Sequence, residues 1–136
     1  MSTQEQQQIK SKYYKEALRY MDNAKDNLKK AGKEGKFYKD DKYVKTACGT
    51  AYNGVLKALD GYLMLKNVEP PKSSRKSIEY YQKNIAKLDK KMLAGLHTVY
   101  NVLHLSGYYD GITSVHVIAD GFEIAYDIID KIKPAD

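Results

Sequence analysis

Apolar residues recur along this chain at steps of three and four, the spacing that lines one face of an α-helix. From about Thr3 to Ala31 the repeat is Ile9, Tyr13, Ala17, Met21, Ala24 and Leu28, with Lys and Asp on the other side. Gly32 and Gly35 end the pattern, and Lys29 and Lys30 stand where a helix C-terminus favours positive charge. The first eight residues are polar and are expected to fray. Asp40 or Asp41 can cap a second helix running to about Lys66, with Val44, Ala47, Ala51, Val55, Ala58, Leu59, Tyr62 and Leu65 on a wide apolar surface. Between Ala47 and Met64 this segment is apolar nearly all round, which predicts the central helix. Its Gly54 and Gly61 each cost about 1 kcal/mol against alanine, so close packing of neighbouring helices is the expected compensation.

Pro70-Pro71 forces a turn, after which Ser73 or Ser74 can restart a helix carrying Ile78, Tyr81, Ile85 and Leu88. A continuation or fresh helix carries Met92, Leu96, Val99, Val102 and Leu103, with a break expected near 89 to 92. Asp110-Gly111 reads as a turn. Thr113 or Ser114 then caps a last helix with Val115, Ile118, Phe122, Ala125, Ile129 and Ile132 on one face. The predicted architecture is all-α: a mainly antiparallel four-helix bundle, one segment broken to give about five helices, forming a single domain over 1–136.

At 136 residues the chain can bury roughly 65–70% of its unfolded surface, enough for a core without staples. The single cysteine, Cys48, excludes an internal disulfide framework and a cysteine-based zinc site, and it suits a reducing compartment. The polar N-terminus lacks the apolar stretch of a secretory signal, and no apolar run reaches the roughly 20 residues of a membrane span. The expectation is a cytoplasmic protein that meets no membrane.

The net charge of +6 is unevenly spread: +5 over residues 1–46, 0 over 47–69, +5 over 70–98 and −4 over 99–136. Lys72, Arg75, Lys76, Lys83, Lys87, Lys90 and Lys91 crowd one segment, and Asp110, Asp120, Glu123, Asp127 and Asp130 crowd the last. A basic face interleaved with Tyr80 and Tyr81 could track phosphates and stack bases of a nucleic acid. It could equally be a solvated lysine face, or a face that meets the acidic helix of another copy or of a partner. Only Arg19 and Arg75 are arginines, and arginine is the residue that grips phosphate through two parallel hydrogen bonds.

Two polar stripes interrupt the apolar pattern. His97, Asn101 and His104 stand at i, i+4 and i+7 with Tyr100 beside them, and Asn53, Lys57 and Asp60 repeat that spacing on the central helix. Facing each other, the stripes could line a pocket or form a buried network that fixes helix register. They do not read as a metal site: on an α-helix His97 and His104 are roughly 10.5 Å apart along the axis. No cofactor motif, glycine-rich phosphate loop or nucleophile elbow is present. The 13 tyrosines, with pairs at 13–14, 80–81 and 108–109, read as amphipathic packing at helix interfaces.

The runs ACGTAYNGVLKALDGYLMLKN and LHTVYNVLHLSGYYDG, with the basic helix between them and the amphipathic helix after, resemble the HEPN superfamily of small helical bundles across about residues 39–133. That resemblance implies a bundle that is often dimeric, acting as a metal-independent RNase or as the partner of a nucleotidyltransferase-type protein in toxin–antitoxin and defence systems. The RNase members carry an arginine, four to six residues, then a histidine. Here Lys91 and Lys90 stand at that distance before His97, and His104 has no basic residue in the window. The expected function is therefore a non-catalytic module that self-associates as a dimer or binds a small protein partner. RNA cleavage by Lys91, His97 and His104, or RNA binding alone, is the alternative.

Overall fold

The computed structural model describes residues 1–73 and 75–135. Among these residues there are five α-helices: α1 (Thr3–Ala31), α2 (Asp41–Leu65), α3 (Ile78–Leu88), α4 (Lys90–Val99) and α5 (Val115–Ile129). A π-helix, Tyr100–Tyr109, continues α4, and a 3₁₀ turn, Asp130–Ile132, ends α5. The protein is predominantly all-α, as the periodicity predicts.

Each helix begins on a residue whose side-chain oxygen accepts an otherwise unpaired backbone N–H. Ser2 accepts from Glu5, Asp40 from Lys42, Ser77 from Tyr80, Asp89 from Met92 and Ser114 from Val117. Asp89 also donates its N–H to the Ile85 carbonyl, so a single residue closes α3 and opens α4 where the sequence predicts the break.

Several expectations are corrected. Ser2 caps α1 at Thr3, so residues 3–8 are helical rather than frayed. Helix α3 starts from Ser77 and not from Ser73; Ser74 lies outside the described residues. Leu88, at the last turn of α3, is 39% exposed rather than core. Between α1 and α2 the chain forms a two-stranded antiparallel hairpin, β1 (Lys33–Glu34) with β2 (Phe37–Tyr38), too short to give a periodic signal. Its outer edge joins the start of α5: Tyr38 N–H donates to the Thr113 carbonyl at 2.8 Å and Val115 N–H to the Lys36 carbonyl at 3.0 Å.

Helix α2 is central, packing on α1, the π-helix, α5 and α3. Its buried face includes Val44, Ala47, Cys48, Ala51, Val55, Ala58 and Leu59, and the core continues through Met21, Ile85, Leu96, Leu103, Ile118 and Ile129. The expected role of the glycines is met by close approach to α1. A Cβ on Gly61 would stand 2.6 Å from Tyr13 Cβ, and one on Gly54 would stand 3.0 Å from Tyr20 Cβ and 3.3 Å from the Ala17 carbonyl.

Gly61→Ala gains about 1 kcal/mol of helix propensity but forces α1 outward, a strain of about 1–3 kcal/mol. Urea denaturation is expected to show net destabilisation. Gly95→Ala, whose new Cβ would meet only Ile124 and Ile128 at 3.4 Å, should be neutral or stabilising.

Candidate functional site

In the π-helix backbone N–H groups reach carbonyls five residues back, so residues four and five apart share a face. Its last turn shows the widened winding, with Asp110 N–H on the Leu105 carbonyl five residues back at 3.0 Å, and a six-residue bond from Ile112 N–H to the Ser106 carbonyl at 2.9 Å closes its end. Tyr100, His104, Tyr108 and Tyr109 are thereby gathered on one side. Helix α2 presents Thr46, Gly49, Thr50 and Asn53 to them, a set at i, i+3, i+4 and i+7.

Two glycines bring these surfaces together. A Cβ on Gly107 would meet Cys48 Sγ at 2.5 Å, and a Cβ on Gly49 would meet Tyr108 Cδ1 at 2.8 Å, so the π-helix backbone sits against α2 and the Tyr108 ring lies on bare backbone. Around this contact is a cleft of about 480 Å³ lined by Thr46, Gly49, Thr50, Tyr52, Asn53, His104, Tyr108 and Tyr109.

The rings are ordered. His104 stacks on Tyr52 at 4.6 Å between centroids and 28° between planes, on Tyr100 at 5.1 Å and 26°, and runs nearly parallel to Tyr108 at 6.0 Å and 11°. Tyr109 stands edge-on to both His104 (82°) and Tyr108 (71°). Burial among these rings lowers the His104 pKa below the ordinary imidazole value of 6.5. Desolvation, with Tyr100 as the next contributor, pushes Tyr52 up to about 12.

The two polar stripes do not form one facing pair. His104, Tyr100 and Asn53 belong to or adjoin the cleft. The Lys57 ammonium instead sits 5.9 Å from the Tyr13 ring centroid, toward α1. Asp60 accepts from the Tyr81 hydroxyl at 2.7 Å and from Lys76 Nζ at 3.0 Å, which ties α3 and the segment just before it to α2. His97 is exposed, its Nδ1 3.5 Å from the Gln82 amide of α3, and Asn101 is exposed. The α-helical spacing that groups His97, Asn101 and His104 fails because the helix changes its winding at Tyr100.

The residues of the RNase alternative are likewise dispersed. Lys91 lines a mainly apolar cleft of about 270 Å³ between α4 and α5, with Met92, Gly95, Ile124 and Ile128, whereas His97 meets α3 and His104 meets α2. Tyr81 is 3% exposed, so it is no platform for a base, and the Tyr80 hydroxyl is bonded to the Glu69 carbonyl. Lys72, Arg75, Lys83, Lys87 and Lys90 are exposed, and Lys76 is exposed but paired with Asp60. The Cys48 thiol is buried, and desolvation raises its pKa to about 12, which leaves it a packing group. Among the described residues no group of three or more His, Cys, Asp or Glu could hold a metal ion.

The cleft residues Tyr52, Tyr108 and Tyr109, with Thr46, Gly49 and Thr50, are absent from the sequence-based site. The spacing of Tyr100, His104, Tyr108 and Tyr109, four and five apart, is the signal that a π-register would have needed.

A model of a domain of unknown function, DUF5618, matches residues 12–134. The chain belongs to the DUF5618 family. This DUF5618 chain is similar to a solved structure, a protein of unknown function from Dyadobacter fermentans, with 44% identity over 97% of each chain and a TM-score of 0.81. No curated protein matches it. Among the described residues no helix is long and apolar enough to cross a membrane.

The DUF5618 fold also separates its charges. Asp120, Glu123, Asp127 and Asp130 are exposed at steps of three and four along α5 and its last turn, while α3 exposes Lys83 and Lys87 and α4 begins with exposed Lys90 and Lys91. Helix α4 packs against both α3 and α5.

His104 is expected to titrate below 6.5 when followed by its ring-proton NMR signals, and Tyr109→Ala, which admits water, should move the midpoint upward. Because the folded value lies below the unfolded one, this residue's contribution to stability is full above 6.5 and is lost as pH falls below it. Asp60→Ala leaves the Tyr81 hydroxyl without its acceptor and should cost about 1–3 kcal/mol in denaturant unfolding, more than Tyr81→Phe costs.

Proposed function

We propose that this protein is a non-catalytic helical module that self-associates, with a second copy lying on the face formed by α3, α4 and α5. The observation that carries the reading is the order of charge across that face: α4 packs on basic α3 and on acidic α5. A two-fold axis parallel to α4 would set the lysines of each copy's α3 opposite the carboxylates of the other copy's α5, a self-complementary arrangement. Ala94 and Thr98 are exposed on α4 with Gly95 between the cleft walls, so two α4 helices could approach closely. The apolar cleft floored by Met92, Ile124 and Ile128 adds surface that gains from removal of water. Kinship with HEPN bundles belongs to the same proposal, supported by the two sequence runs alone.

Sedimentation velocity across micromolar concentrations tests it. The expected result is a dimer that weakens as salt rises, since exposed charges are screened. Each exposed pair contributes about 0.2–1 kcal/mol, so Lys83→Glu with Lys87→Glu should weaken the dimer roughly tenfold, and adding Asp120→Lys and Asp127→Lys should restore it. A monomer throughout, or a dimer indifferent to these reversals, overturns the reading.

A further inference from the structure

We propose that the cleft between α2 and the π-helix is a binding site for a small, uncharged, planar aromatic ligand whose edge carries a hydrogen-bond donor and acceptor. The site is separate from the α3–α5 face and does not depend on self-association.

The cleft is about 480 Å³, within the range of about 300–1,000 Å³ typical of small-molecule sites. Tyr108 is 46% exposed and Tyr109 62% exposed, although Gly49 lets the Tyr108 ring lie close against α2 and His104 and Tyr109 flank it. Rings fixed in this way in the unbound protein lose little freedom when a ligand stacks on them.

The orientation of the rings selects the shape of the ligand. Tyr52, His104 and Tyr108 form a ladder of nearly parallel planes, which a further planar ring extends. An aromatic cage for a cation needs faces turned inward from several directions, and it gains from a carboxylate. None of the eight lining residues is Asp, Glu, Lys or Arg. His104 stays neutral near pH 7 because its burial disfavours the charged form. The lining therefore attracts neither a cation nor an anion by charge.

Polar groups on α2 supply the edge. The Thr46 hydroxyl is engaged with the Lys42 carbonyl at 3.2 Å, while Thr50 and Asn53, one helical turn on, bring a hydroxyl and an amide to the cleft wall. An amide offers both donor and acceptor, which matches a ring bearing N–H beside C=O.

The test titrates the full chain with quinolin-2-one, a planar uncharged lactam, and follows the Gly49, Asn53 and His104 NMR signals. Piperidin-2-one, the same lactam without an aromatic ring, and tetramethylammonium, a cation, are the controls. Saturable binding of quinolin-2-one alone, centred on those three residues, is expected. Tyr109→Ala, at an exposed position that folding tolerates, should weaken it roughly threefold to tenfold. Gly49→Ala, which drives Tyr108 off α2, should weaken it further, and Asn53→Leu should erase the preference for the lactam over naphthalene. Absence of saturable binding, equal binding of tetramethylammonium, or indifference to Tyr109→Ala overturns the proposal. Signals that move with protein concentration and not with quinolin-2-one would assign the cleft to a second copy and overturn it too.

Discussion

The distance at which α2 meets its neighbours governs the rest of this structure. On one side Gly54 and Gly61 let α1 rest on helix backbone, with Tyr13 and Tyr20 carrying their Cβ atoms where α2 has none. On another, Gly49 and the opposing Gly107 bring the π-helix to the same closeness, with Cys48 filling the space under Gly107. A mid-helix glycine weakens an isolated helix, and contact this close can only be repaid by dispersion across many atoms. The order of the aromatic rings follows from it: Tyr108 comes close to α2 because Gly49 has no side chain, and His104 and Tyr109 pack against Tyr108.

The π-helix is the second determinant, and it depends on the first. Wider winding is unfavourable in isolation and usually lasts a single turn. Here it runs for ten residues, with Gly107 pressed against α2 and the hairpin holding the chain just beyond Asp110. Its effect is to exchange which residues are neighbours. Tyr109, five residues after His104, joins the face that Tyr100, His104 and Tyr108 share at steps of four, and Asn101 faces solvent.

That exchange also marks where the sequence was legible. The five helices, the central position of α2, the break at Asp89 and the need for close packing at Gly54 and Gly61 all follow from apolar spacing and cap residues, which act locally. The hairpin was not legible, since two-residue strands have no period and are held by the distant backbone of residues 113 to 115. The site was legible only in part. His104, Tyr100 and Asn53 were found through their polar or aromatic character on apolar helices; His97 and Asn101 were drawn in by a period that stops at Tyr100, and Lys57 and Asp60 by a stripe on α2 that turns toward α1 and α3. The tyrosines of the cleft are read as packing because amphipathic rings suit helix interfaces, and only Tyr109 stands off the α-helical face that Tyr100, His104 and Tyr108 share.

The short hairpin has a consequence for the order in which this chain assembles. By bonding residues 36–38 to 113–115 it closes a loop that contains α2, α3, α4 and the π-helix. Closing so long a loop carries an entropic cost that a few backbone bonds cannot meet alone, so the clasp becomes favourable only after α2 has drawn its partners together. The helical hairpin of α1 and α2, built from contacts near in sequence, is the natural nucleus. Both walls of the aromatic cleft, α2 and residues 100 to 109, lie inside that closed loop, so a fragment that stops short of residue 113 carries the two walls without the clasp that holds the chain beyond them.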